Sequence, residues 1–280
     1  MLLIAGCANG AGGASGGSDR GAEGPTRSSP SPAATLDPGT ASACQAFWGD
    51  PDYTDPLSRE LLDRAATAAD AGPDDPGFYA MTADDLEAAF ESAPSDAQQA
   101  VAPLADWFRT QPERGTDADM DAFRTAWTAT AKLCAPGSAA AAWAVAPGKD
   151  GTKPAALVCA DITDTPGTLT SYRNANVLTS NMFKVVGLYP KSVPAKRMDD
   201  VRATDELLAK EIAAVDDDGV REALTKIRAP FRAAIDGNMW SEGLREPLKE
   251  FGGACSHVGY EIPPMDDGSG QGDEGDGGLV

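Results

Sequence analysis

Histidine is almost missing from this chain, with His257 the only one in 280 residues. A single imidazole excludes H-E-x-x-H zinc sites and multi-histidine metal centres, and no G-x-S-x-G elbow is present to join it in a Ser-His-Asp arrangement. Positive charge is scarce too: 23 Lys and Arg face 43 Asp and Glu, for a net charge of −20. Nucleic acid and anionic lipid surfaces both demand a basic face, so this balance argues against either as a ligand. It suits an ectodomain kept soluble by self-repulsion. There is no run of about 18 apolar residues, the length that marks a transmembrane helix. Strand-like alternation is confined to a possible short run at Ala155–Cys159.

The two ends are poor in large apolar side chains. Residues 8–42 are mostly Gly, Ala, Ser, Pro and Thr, too little apolar surface to offset the entropy of ordering. They read as a flexible tether, whose Ser/Thr-Pro content also suits O-glycans. Residues 264–280 are acidic and Gly-rich and read as a disordered tail. Within it, Asp266 to Asp273 approaches a calcium loop, but Gly277 stands where the closing Glu belongs.

At the head of the tether, Leu2, Leu3 and Ile4 lead through two small residues into Cys7. Ile4-Ala5-Gly6-Cys7 resembles the lipobox of bacterial lipoproteins. That resemblance implies that residues 1–6 are the remnant of a truncated signal peptide and that Cys7 carries palmitate-type lipid. The mature protein is then held on the extracytoplasmic face of the cell membrane. Each buried CH₂ of the lipid contributes about 0.8 kcal/mol, and two chains suffice for stable anchoring.

Four further cysteines remain: Cys44, Cys134, Cys159 and Cys255. An even count in an exported chain reads as disulfides, with three pairings open. No two have the close spacing of a zinc site. Cys44 to Cys134 and Cys159 to Cys255 are intervals of similar length, and the residues inside them repeat a pattern. Phe123, Trp127, Thr130 and Cys134 align with Leu244, Leu248, Phe251 and Cys255, each set at i, i+4, i+7, i+11 on one helix face. One helix earlier, Ala97, Val101, Leu104 and Phe108 align with Val220, Leu224, Ile227 and Phe231. Arg109 and Arg232 follow each Phe, Arg124 and Arg245 share an offset, and Leu86 and Phe90 match Leu208 and Ile212. An internal duplication explains the shared order better than chance periodicity does.

The expected fold is therefore all-α: two tandem, disulfide-closed four-helix repeats, 43–145 and 154–263, related by a pseudo-twofold. In the first, helices open at Asp55-Pro56, Thr82, Ser95 and Thr116. In the second they cover about 168–186, 202–214, 217–235 and 239–255. Pro103, Pro230 and Pro247 fall inside apparent helices, where each removes a backbone hydrogen bond. An up-down-up-down bundle brings its first and last termini to the same end. This favours Cys44–Cys134 and Cys159–Cys255 over crossed pairings.

Catalytic sets are hard to assemble. Asp84 with Asp85, Asp199 with Asp200, and Asp216 to Asp218 offer paired carboxylates, but they fall at apparent helix starts where capping accounts for them. Arg109, Arg124, Arg232 and Arg245 either face an anionic ligand or pair with surface carboxylates, the second being the simpler. Thr168–Pro190 is the least symmetric region, rich in Asn where Asn is a poor helix former. Tyr172, Arg173, Asn174 and Asn176 are its candidate ligand-binding residues, against the plainer reading of a solvent face. Trp48, Trp107, Trp127 and Trp240 read as core or half-buried anchors, and Trp143 as a dock between halves.

The expectation is a non-catalytic envelope protein that binds a protein or a cell-wall component, with no cofactor, metal or nucleic acid. The alternative is a solute-binding lipoprotein that holds a small ligand between the repeats.

Overall fold

The computed structural model describes residues 36–71, 76–147, 151–163 and 182–262. Cys7 and the tether to residue 35, the Thr168–Asn181 stretch and the tail from residue 263 lie outside the described residues. What is described is mostly helical and carries two disulfides.

Helix α1 spans Pro38–Trp48, inside what composition suggests is tether. Asp37 caps it, accepting from the amide of Gly39 at 2.8 Å, and Pro38 sits at the first helical position where its missing N–H costs nothing. Gly49 ends it in the left-handed region at φ 77°, where a side chain would strike Pro56. Residues 38–42, which composition assigns to the tether, are thus helical.

Three helices follow: α2 (Leu57–Ala71), α3 (Pro76–Ala89) and α4 (Ser95–Thr110). Thr82 does not cap α3 but lies within it, its hydroxyl donating back to the Phe78 carbonyl at 3.3 Å. Ser95 is the first residue of α4, whose cap position is Pro94 with no side-chain hydrogen bond. Pro103 is tolerated inside α4 because it lies on the exposed face. A 3₁₀ segment, Pro112–Asp117, absorbs Thr116, and α5 (Met120–Cys134) starts instead at Asp119, which accepts from Ala122 N–H at 2.9 Å. Ser138 caps the short α6 (Ala139–Val145).

Ala155–Thr163 is helix α7, not a strand. Its apolar run has no alternation because the whole segment is buried, which period alone does not distinguish from a strand. A π-helical turn at Met182–Val186 leads to strand β1 (Lys191–Ser192). Helix α8 (Met198–Ala214) is followed by α9 (Asp218–Ile235), strand β2 (Trp240–Ser241) and α10 (Arg245–His257). β1 and β2 pair antiparallel, with Ser192 opposite Trp240. The last helix thus starts six residues later than its periodicity suggests, and Pro247 falls in its first turn where it breaks nothing.

Helix α3 packs on α4 and α4 on α5; likewise α8 packs on α9 and α9 on α10. The aligned faces are all turned inward: Ala97, Val101, Leu104, Phe108, Phe123, Trp127, Thr130 and Cys134 are buried, as are Val220, Leu224, Ile227, Phe231, Leu244, Leu248, Phe251 and Cys255. One hydrophobic core draws on both halves. The first half fills it with aromatics, Phe47, Trp48, Phe123 and Trp127 meeting at centroid distances of 5.0 to 6.1 Å. The second uses mainly aliphatic side chains with Phe231 and Phe251.

Cys44 of α1 is bonded to Cys134 of α5, and Cys159 of α7 to Cys255 of α10, the pairings that topology favours. Each closes a long loop, of 90 and 96 residues. Replacing both Cys159 and Cys255 by Ala should lower the unfolding free energy by about 4–5 kcal/mol, the loop-closure entropy of a span this long. Urea unfolding of the double variant measures it; a loss below about 1 kcal/mol would mean the unfolded chain is already compact.

Candidate functional site

Asp161 stands in α7 among Leu157, Val158, Ala160 and Ile162, all buried, and is itself 0% exposed. A carboxylate so placed must be met by donors or lose its charge. Two cations reach it. Arg59, from α2, donates to Oδ1. Lys153, just before α7, donates from Nζ to Oδ2 and also, at 2.6 Å, to Oε2 of Glu211 on α8. Lys153 is 0% exposed, Arg59 3% and Glu211 8%. The result is a neutral set of two cations and two anions, closed from water and spanning both halves of the chain.

The backbone fixes Lys153 on both sides. Its N–H donates to the Ala214 carbonyl at 2.8 Å, and its own carbonyl accepts from Asp216 N–H at 3.1 Å, as a parallel bridge to Val215. The Asp216 carboxylate accepts from Ala155 N–H at 2.9 Å, tying the start of α7 to the same turn. Trp143 lays its ring 5.1 Å from the Lys153 ammonium. It does sit at the seam, as a cover over the lysine. Nearby, buried Tyr53 donates to Asp50 at 3.0 Å, and Asp50 accepts from Ser138 and from Ala139 N–H at the head of α6.

These contacts set the protonation chemistry. Burial pushes the Glu211 carboxyl above the ordinary carboxylate range, with Lys153 opposing that rise. Burial works against the charge on Lys153, but the Asp161 and Glu211 carboxylates outweigh it and hold the ammonium's pKa above its usual value. Burial and then Asp50 drive the Tyr53 phenol far up, so it stays a donor. A cluster this enclosed admits no substrate; the chemistry open to it is among its own groups.

A second feature faces solvent. Tyr189 and Trp240 are 61% and 52% exposed, on the two segments joined by the β1–β2 ladder. Arg245 lies over the Tyr189 ring at 5.9 Å, and the Trp240 indole N–H donates to Glu242 at 3.0 Å. The Leu244 and Arg245 amides donate to the Gly187 and Leu188 carbonyls at 3.0 and 3.1 Å. Gly243, at φ 88°, lets the segments come this close, since a Cβ there would collide with the Leu188 carbonyl. A third feature, an open groove of about 510 Å³, runs between α3 and α4. It is lined by Glu87, Phe90, Glu91, Gln98 and Val101, and so lies within the first half rather than between the halves.

Of the residues singled out from sequence, Cys7, Tyr172, Arg173, Asn174 and Asn176 lie outside the described residues. The recurring arginines do meet carboxylates: Arg109 pairs with Glu87 and Asp84, Arg124 with Asp121, and Arg232 with Asp205. Arg245 instead takes the Tyr189 ring. Asp84 and Asp85 are not caps, since α3 begins at Pro76; they bind Arg109 and Arg64 across the helix surface. Asp217 does cap α9, accepting from Val220 N–H at 2.9 Å. Trp48, Trp107 and Trp127 are core, whereas Trp240 is not an anchor but an exposed ring. His257 is exposed in the last turn of α10.

Sequence spacing does not disclose the buried cluster, although it carries one signal. Asp161 is the only charged residue in the run Pro154–Thr163, which is otherwise apolar or uncharged. A lone carboxylate there needs a buried partner, but its partners lie far away in sequence. No protein-family model, curated protein or solved structure matches the chain.

Two predictions concern the cluster. Asp161→Ala leaves Lys153 and Arg59 buried without their shared anion and should cost about 3–5 kcal/mol in urea unfolding. A loss under about 1 kcal/mol would mean that water reaches the cations. For Glu211 the folded-state pKa is above the unfolded one, so the folded state holds the extra proton. Stability should fall as pH rises from the ordinary carboxylate range, about pH 4, through the raised value. Glu211→Gln should flatten that fall, as read from unfolding midpoints across the window.

Proposed function

We propose that this is a lipid-anchored envelope protein, held through Cys7 on the extracytoplasmic face of the cell membrane, that binds a protein or cell-wall partner without catalysis. The observation that carries the binding part is the exposure of the Tyr189 and Trp240 rings, on two segments that the β1–β2 ladder sets side by side. Exposed Tyr and Trp rings are the side chains that partner surfaces favour. Arg245 and Glu242 hold both rings in place, so little ordering entropy is lost on contact. The two disulfides support an oxidising, exported setting for the folded part.

The internal duplication belongs to the same proposal. It is supported by matched buried faces, by α3–α4–α5 and α8–α9–α10 packing in the same order, and by a disulfide in each half from an early helix to the third helix of that packed set. The solute-binding alternative gains no support from the seam, which at Lys153, Asp161, Arg59 and Glu211 is closed.

Two measurements test the proposal. Cys7→Ala should abolish palmitate labelling and move the protein from membrane to soluble fraction; an unlabelled, soluble wild-type protein would remove the anchor. Separately, the wild-type protein should co-sediment with purified cell wall or be captured by photocrosslinking from position 240. Tyr189→Ala with Trp240→Ala should weaken that binding about tenfold while leaving thermal unfolding unchanged, since both rings are exposed. Unaltered binding would place the partner surface elsewhere.

A further inference from the structure

We propose that Lys153 and Asp161 condense after folding into an intramolecular amide, the Lys153 Nζ joined to the Asp161 Cγ, with Glu211 relaying the protons. The inference rests on the buried cluster and does not depend on the anchor or the partner surface.

Amide formation from a lysine amine and a carboxyl group is ordinarily stalled in water, because both groups are ionised and the released water is in excess. Here both are 0% exposed and in direct contact. The backbone holds the Lys153 stem through the Ala214 carbonyl and the Asp216 amide, and α7 holds Asp161 through its own turns. The reacting groups are thus kept at contact, and proximity of this kind supplies much of an otherwise bimolecular barrier.

The two oxygens of Asp161 are differentiated. Arg59 donates to Oδ1, where negative charge gathers when the amine attacks Cγ, so the guanidinium stabilises the tetrahedral oxyanion and then the amide carbonyl. Oδ2 faces Lys153 and is the leaving oxygen. Lys153 rests as an ammonium between the two carboxylates and must shed a proton before it attacks; Glu211, 2.6 Å from Nζ and not itself attacked, is the base placed to take that proton and return one to the leaving oxygen. The balance is complete without a co-reactant. The N–C bond forms, the C–Oδ2 bond breaks, nitrogen gives up two hydrogens in all, and both leave on Oδ2 as one water. Glu211 ends as it began. The ion pair is replaced by a neutral amide, which removes the desolvation cost of two buried charges, while Arg59 and Glu211 remain as a balanced pair.

Asp161 is assigned as acceptor over Glu211 because Arg59 contacts its carboxylate, the position an oxyanion needs. Trp143 over Lys153 and the buried wall around α7 keep out the water that would reverse the step.

The test uses the full chain, exported to an oxidising compartment, reduced, alkylated and digested. Trypsin does not cut before Pro154, so Lys153 and Asp161 stay in one peptide, 150–173. The expected result is that this peptide weighs one water less than its sequence, and that cutting after Leu157 leaves two pieces still joined. Asp150-Gly151 lies in the same peptide and loses water if it forms a succinimide, so fragmentation must place the loss between residues 153 and 161. A full-mass peptide, a loss at Asp150, or a link from Lys153 to Glu211 each overturns the assignment. Glu211→Gln keeps the shape but cannot relay protons, and should slow cross-linking by about 100-fold or more. A Glu211→Gln protein with both disulfides formed and the link complete at the wild-type rate would remove the relay. Should that variant not fold, the wild-type peptide mass decides alone.

Discussion

A carboxylate with no access to water sets the terms for the middle of this protein. Asp161 sits in a helix whose other faces are all spent on packing, so its charge has to be answered inside the fold. The answer comes from α2, from the segment before α7 and, through Lys153, from α8. Moving any of these elements strands a charge in the core, and that is expensive in a way that losing an apolar contact is not. The relative placement of the two halves is therefore specified by electrostatics as well as by packing.

The disulfides act on a different level. Each ties an early helix of its own half to a late one, Cys44 of α1 to Cys134 of α5 and Cys159 of α7 to Cys255 of α10. Neither crosses the seam. Joining the halves falls to the shared apolar core and to the Arg59–Asp161–Lys153–Glu211 set. Helix α7 takes part in both arrangements, through Cys159 and Asp161 two residues apart, so one short helix transmits the constraint between them.

Much of the surface follows a simpler rule. Most ion pairs are local or exposed, such as Arg221 with Asp218 and Lys226 with Glu222, and each contributes little to stability. An acidic exterior with its few cations committed in this way is well suited to staying apart from itself. Against that background the Tyr189 and Trp240 rings, like Phe78 and Met81 on α3, are apolar area the fold leaves in water.

The helices of the two halves were legible because burial on one face imposes a period. Val101, Leu104 and Phe108, like Leu224, Ile227 and Phe231, could be placed inward from spacing alone, and the disulfide pairing followed from the ends those helices share. Starts and stops were less legible. Helix α1 hides in a tether-like composition and depends on the Asp37 cap, and α3 begins six residues before Thr82. Helix α7 lacks any period because all its faces are buried. What the sequence alone determined was helical class and the inward faces, since these depend on residues close together; it favoured the cross-linking scheme through an assumed bundle topology, and the fold decided it. The charge cluster and the exposed rings beside the β1–β2 ladder were decided only by tertiary structure. Arg59, Lys153, Asp161 and Glu211 are separated by up to the length of a domain, and a charge is buried or solvated according to what folds over it, which local spacing does not encode.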